Sequence, residues 1–342
     1  MASSTLPVRL PKVAGGLLLT TTDFYTAGMI VYLLLRVAFG ERWWPVAFAN
    51  VFAHWMLLPA PLLLIFTLLA RQHVRAGLAA VPALAFVWLF GGLLTPGVAP
   101  MTACADAGDS CAQITVLTFN SGSYNPDMDT FAATLRDADV DVVAIQELSA
   151  EFADAIQDSL GEEYPYRALY GTGAGGTGLI SRYPIREETL FRLELRGFPY
   201  QRAVIDVHGQ EVAFYNVHPL APSFWGGYRS RALVDMPPLA ELIRAEARPT
   251  ILVGDFNTVD QSAAYDVLRD AGLNDAFRQA GFGYGLTFPV RGRHQGINIP
   301  PLVRIDFIWS TDDFKTLDAR VAPDLGSDHM PVLASLRLER RD

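Results

Sequence analysis

The chain has 342 residues, enough for one large domain and a further segment, and 51% of them are apolar, more than a purely soluble protein carries. Its formal charge of −9 argues against a broadly basic surface built to grip duplex nucleic acid. With two cysteines and no HExxH, the sequence also lacks the usual zinc ligands.

Three apolar runs fill the first hundred residues, at 13–35, 45–70 and 76–94, each about as long as the roughly 20 residues that span a bilayer as a helix. The first is interrupted by Asp23 and the second by His54, while the third carries no charge. Such residues inside a span are expected near an interface or paired within the bundle. A cleaved signal peptide is disfavoured, because no clear small-residue cleavage site follows the first run and two more runs come after it. With the N-terminus inside, Arg9, Lys12, Arg71 and Arg75 face the cytoplasm and Arg36 and Arg42 lie outside, and no further basic residue occurs until Arg136. This bias places the long C-terminal part outside the cytoplasm. Cys104 and Cys111 follow in a polar linker, where an oxidising compartment would let them close a small loop. The expected organisation is a membrane domain over 1–97, a linker over 98–112 and a catalytic domain over 113–342.

From about Gln113 the pattern changes to short β-branched strands with interspersed helices. "ITVLTFN", "VDVVAIQE", "TGLISRYPI", "RAVIDVHGQEVAFYNVH", "TILVGDFN", "RIDFIWS" and "MPVLASLRL" read as strands, with "HGQ" as a hairpin turn. "DMDTFAATLRDA" and "QSAAYDVLRDAG" read as helices, and a helix within 228–247 is expected to be interrupted at Pro237-Pro238. "GTGAGGTG" (171–178) lacks the Lys-Ser/Thr of a phosphate-binding loop and reads as a flexible loop. The mixture predicts an α/β fold of packed sheets covered by helices.

Nearly every strand ends in a polar residue: Asn120, Glu147, His218, then Asp255 and Asn257. Asp306 sits in "RID", and Asp328 and His329 open the last strand. Singly, each is an ordinary cap or turn residue. Gathered at one sheet edge, they supply four carboxylates, two amides and two imidazoles. Oxygen donors without thiolates favour a hard ion, Mg²⁺ or Mn²⁺. A hard ion with neutral and cationic donors is what a phosphoryl oxygen needs as charge builds on it.

The ordered set "TFN", "QE", "NVH", "GDFN", "RIDFI" and "SDHMP" resembles the endonuclease/exonuclease/phosphatase superfamily, the DNase I-like phosphoesterases, over roughly 114–338. The resemblance implies a four-layer α/β sandwich, which here would follow the three transmembrane helices read from the apolar runs. It also implies roles: Glu147 as main metal ligand with Asn120 and Asp328, and Asp255 as the residue that activates water. Asn257 and His218 would hold the phosphate, and His329 would donate to a phosphoryl oxygen with Asp306 fixing its tautomer. Arg202 joins the candidates for gripping phosphate, with Arg229, Arg231, Arg291, Arg293 and His294 as further local basics. The apolar loops "SFWGG" (223–227) and "INIPPL" (297–302) are candidates to meet a bilayer or lipid chain.

A short chain behind a three-span anchor also resembles the membrane-bound members linked to teicoplanin resistance. The expected activity is a metal-dependent phosphoric ester hydrolase acting on a lipid-linked phosphate or pyrophosphate at the outer membrane surface. Its expected partners are the lipid bilayer and a phosphorylated substrate. The alternatives are an extracytoplasmic nuclease and an inactive membrane-tethered binding module. Past residue 112 the chain holds 21 Lys and Arg against 32 Asp and Glu, which disfavours nucleic acid.

Overall fold

The computed structural model describes residues 12–95, 111–122, 126–193, 197–224, 228, 230–290 and 299–339. The chain divides into two compact units, Met1–Gly92 and Leu93–Asp342. In the first, α1 (Lys12–Phe39) and α5 (His73–Phe90) belong to stretches long and apolar enough to cross a membrane. The middle expected span is instead broken into α2 (Trp44–Val51), α3 (Ala53–Leu57) and α4 (Ala60–Leu69). The chain bends by 76° across the break at Phe52, whose φ of −110° and ψ of 14° leave the helical region. It adds a third span only if both limbs count as one. Asp23 of α1 accepts two hydrogen bonds from the Arg75 guanidinium of α5, at 2.9 and 3.0 Å, so the charge in the first span is paired. His54 is buried against the rings of Trp55 and Phe90.

Among the described residues, the second unit is built on twelve strands. β1 (Cys111–Asn120), β2 (Val142–Gln146), β3 (Tyr166–Tyr170), β4 (Thr177–Ser181), β11 (Phe314–Val321) and β12 (Val332–Glu339) form one sheet, in the order β11-β12-β1-β2-β4-β3. β5 (Ile185–Phe191), β6 (Tyr200–Val207), β7 (Gln210–Val217), β8 (Thr250–Asp255), β9 (Asn274–Asp275) and β10 (Asp306–Ser310) form the other, in the order β5-β6-β7-β8-β10-β9. The expected hairpin joins β6 to β7 through His208 and Gly209, both at positive φ (52° and 85°), as a two-residue turn requires. β1 starts at Cys111, two residues before the expected domain start. Cys104, and with it the expected cysteine pair, lies outside the described residues.

Alternation along the strands sets the layers. In β1, Leu117 and Phe119 face outward into a core with Phe131 and Leu135 of α6 (Met128–Asp137) and with Phe152 and Ile156 of α7 (Ala150–Leu160). Val116, Thr118 and Asn120 therefore point toward the other sheet. On that sheet, Tyr215, Leu252, Phe307 and Trp309 face outward against Met236 and Leu239 of α8 (Ala232–Ala245) and Tyr265 and Leu268 of α9 (Ala263–Asp270). Helix, sheet, sheet and helix give the expected four-layer α/β sandwich. Side-chain caps at Asp127, Ser149 and Ser262 start α6, α7 and α9. Contrary to expectation, α8 runs unbroken through Pro237 and Pro238. Both prolines are exposed, and the carbonyls that lose an i+4 N–H donor to them belong to Leu233 and Val234, which are also exposed.

Candidate active site

Strand direction assembles the site. β1 and β2 are parallel, as are β7 and β8, so Asn120, Glu147, His218 and Asp255 all lie at or just past carboxyl ends. β10 runs antiparallel to β8 and sets Asp306 directly opposite Asp255. β12 runs antiparallel to β1, pairing Val332 with Thr118, so Asp328 and His329 reach the same rim. A hydrogen bond of 2.9 Å from Asn120 Nδ2 to Asp255 Oδ2 joins the rims of the two sheets.

Asp255 is the hub. It is 1% exposed, and its Oδ1 accepts the backbone N–H of Asn257 at 2.8 Å. His218 Nε2 and His329 Nε2 stand 3.6 and 3.7 Å from its Oδ2, close enough for charge to matter but too far for a hydrogen bond. His329 Nδ1 donates to Asp306, 3.0 Å from Oδ2. Burial alone would lower the His329 pKa, but the carboxylates of Asp306 and Asp255 outweigh it and raise it, favouring the imidazolium. Burial, reinforced by the charge of Asp306, raises the Asp255 carboxyl into the range of a base poised near neutral pH. Burial and then the charge on His329 push His218 far below the ordinary imidazole range, so it stands neutral.

The remaining expected residues fall into place around this hub. Glu147 follows β2 at φ 51°, and its Oε1 lies 3.8 Å from His218 Nε2. Asn120 is fully buried, and its Oδ1 accepts the N–H of Gly122 at 2.8 Å. Asp328 is partly exposed beside His329. Asn257, at φ 49°, gives its amide to the Pro219 carbonyl at 3.0 Å and braces the His218 loop onto the Asp255 turn. Arg202 does not join them. It lies on the outer face of β6, over the Tyr215 ring, where Glu246 and Glu187 occupy its guanidinium. An arginine saturated by two carboxylates has little to offer a phosphate. Arg231 is exposed just before α8, and Arg229, Arg291, Arg293 and His294 lie outside the described residues, as do parts of both apolar loops.

Three further features escaped the sequence. Ser327 is buried, and its hydroxyl donates to the Asn120 carbonyl at 2.7 Å while accepting the His329 N–H at 3.2 Å, tying β12 to β1. A buried polar seam crosses between the sheets: Gln146 donates to Asn216 at 2.7 Å, and Asn216 donates to Thr177 at 2.8 Å. The "GTGAGGTG" segment is a packed wedge and not a loose loop. A Cβ on Gly171 would meet backbone of Ser149 and Ala150 at 2.7 Å, and one on Gly176 would stand 2.0 Å from the Leu148 carbonyl oxygen. The glycines therefore let this segment press against the turn that carries Glu147. Of the three, only this cluster of glycines left a visible signal in the sequence, and close backbone approach is one of its standard causes.

Among the described residues, Asp255, Asp306 and His329 form a group whose potential ligand atoms lie within 4.8 Å of one another. The oxygen-rich rim fits a hard divalent cation. Asp255 and Asp306 offer it oxygens and His329 a nitrogen, and the Glu147 and Asp328 carboxylates stand on the same rim.

Comparisons with known proteins place the fold and the family. The family model described as Endonuclease/Exonuclease/phosphatase family matches residues 117–329, and the chain belongs to that family. Its members are divalent-metal-dependent hydrolases of phosphate esters, including phosphatases and nucleases. Among solved structures, a family protein from Bacteroides vulgatus matches with a TM-score of 0.54 and 20% identity, over 66% of this chain and 99% of that one. One from Bacteroides thetaiotaomicron matches with a TM-score of 0.52 and 19% identity, over 68% and 99%. D. rerio TDP2, complexed with a single-strand DNA product, matches with a TM-score of 0.51 and 15% identity, over 66% and 98%. At these identities the likeness establishes the DNase I-like fold alone. No curated protein matches the chain significantly.

Proposed function

We propose that the protein is a membrane-anchored, Mg²⁺- or Mn²⁺-dependent phosphoesterase that hydrolyses a lipid-linked phosphate ester or pyrophosphate outside the cytoplasm. The observation that carries the chemistry is Asp255, buried between two imidazoles and facing Asp306 across the β8–β10 ladder. Asp255 orients a water molecule and takes its proton, with Asn120 fixing the carboxylate. His329, held in one tautomer by Asp306, presents Nε2–H to a phosphoryl oxygen as negative charge develops there. His218 presents a neutral ring at the same place and leaves the local field to His329. Glu147, Asn120 and Asp328 would hold the divalent ion, which supplies Lewis-acid stabilisation of the phosphoryl group. Attack is in line, without a covalent enzyme intermediate.

The choice of a lipid-linked substrate is supported by the apolar helices in the same chain and by the excess of acid over base past residue 112. The deciding experiment is release of inorganic phosphate from a long-chain isoprenyl pyrophosphate by the full chain, with Asp255→Ala as control. Release that requires Mg²⁺, stops with EDTA and vanishes in the variant supports the proposal. Cleavage of a generic phosphodiester without action on the lipid pyrophosphate overturns the substrate assignment and leaves the chemistry.

A further inference from the structure

We propose that the cleft between edge strands β3 and β5 seats the hydrocarbon chain of a lipid phosphate whose phosphoryl group lies at the Asp255–His329 centre. This rests on the phosphoesterase function proposed above and adds where the lipid is bound and by which residues. The cleft holds about 610 Å³, within the range of small-molecule sites. Its walls include Tyr170 at the end of β3, Leu190 and Phe191 at the end of β5, and Arg192, Phe198 and Pro199 beyond it.

Two observations connect this cleft to the chemistry. The Phe198 ring stacks on the His218 imidazole, with centroids 5.2 Å apart and planes 26° apart, so one side chain borders both places. Gly175 makes room for that ring, since a Cβ there would come within 3.2 Å of Phe198 Cδ1. The lining also suits hydrocarbon better than sugar. The Tyr170 hydroxyl donates to Glu188 at 2.6 Å, and Arg192 is exposed and gives one N–H to the Gly197 carbonyl, while the apolar surface of the cleft is that of Leu190, Phe191, Phe198 and Pro199. Leu190 remains 38% exposed on an edge strand, apolar surface that a bound chain would cover. The chain's own apolar helices give it a reason to meet lipid esters.

The test uses the full chain in lipid nanodiscs with a decyl phosphate ester bearing a terminal diazirine. Photolysis is expected to place adducts on Tyr170, Leu190, Phe191 or Phe198, and Leu190→Asp or Tyr170→Ser should cut their yield at least fivefold. In parallel, kcat/KM for a series of alkyl phosphate esters should rise about two- to fourfold per methylene until the cleft is filled. Adducts confined to residues 12–94, or unchanged in both variants, overturn the lipid site. Adducts in the cleft without turnover of any ester keep the lipid site and overturn the phosphoesterase function. Turnover that is indifferent to chain length, with no cleft adducts, does the reverse.

Discussion

Gly176 offers a sharp test of how the Glu147 turn is held. Its φ of −73° and ψ of 144° suit any L-residue, so space alone keeps a side chain out. In Gly176→Ala the new Cβ would stand 2.0 Å from the Leu148 carbonyl oxygen and 2.9 Å from the Leu148 carbonyl carbon. Real Cβ contacts essentially never fall below 3.0 Å, so the turn after Glu147 must move by about 1 Å. A displacement of that size at a catalytic group costs about 100-fold, or about 2.7 kcal/mol of transition-state stabilisation. The overpacking itself should cost about 1–3 kcal/mol of stability. Gly272→Ala separates the two effects. Gly272 has φ +87° and nothing within 4 Å of a new Cβ, so that variant should lose about 1 kcal/mol of stability and keep full turnover. The assay is Mg²⁺-dependent hydrolysis of bis(p-nitrophenyl) phosphate, with thermal unfolding followed by circular dichroism. A folded Gly176→Ala protein that turns over at the wild-type rate would refute the wedge argument.

Asp255→Asn and His329→Ala should each lower kcat by about 10²–10⁴-fold while melting near the wild-type temperature, and near-normal turnover in either would sink the assigned roles. Arg202→Ala should leave turnover intact and lower stability by about 1–3 kcal/mol in urea titrations, because Glu246 loses a close partner; a large fall in kcat would return Arg202 to the site. Arg304 is 4% exposed, pairs with Asp275 at 2.8 Å and Asp260 at 3.2 Å, and lies over the Phe307 ring. Arg304→Met should therefore cost about 3–5 kcal/mol at neutral pH. Burial would raise the Asp260 carboxyl, but Arg304 and Arg278 hold it below its usual value. Its stabilisation is thus present above about pH 4 and is lost as the pH falls through the depressed folded-state pKa. The gap between wild type and Arg304→Met should narrow on acidification in that window, and a gap independent of pH would contradict the pairing.

The polar rim is legible in the sequence because each of its residues closes or opens a strand with a clear apolar period. Asn120, Glu147, His218 and Asp255 end runs that can be seen one at a time, and the parallel pairing of β1 with β2 and of β7 with β8 then brings them together. The surroundings of Arg202 are not visible in the sequence, because its partner Glu246 comes 44 residues later and alternation along β6 does not say what covers its outer face. The packing of the Gly-rich wedge is hidden in the sequence because its contact with Leu148–Ala150 is tertiary. Pro237 and Pro238 suggest an interruption by a local rule that exposure relaxes. The bend at Phe52 was hidden because hydropathy measures how greasy a stretch is and is blind to its direction.

The seam of Gln146, Asn216 and Thr177 has a consequence for how such a protein diversifies. These side chains lock the middle strands of the two sheets together, inward of the edge strands β3 and β5. Tyr170 and Leu190 lie on those edge strands, outside the seam, and Asp255, Asp306 and His329 lie on its other side. Substitutions at Tyr170 or Leu190 can therefore change the margin of the sandwich while the polar seam keeps the two sheets in register, whereas a change at Phe198 reaches the His218 ring.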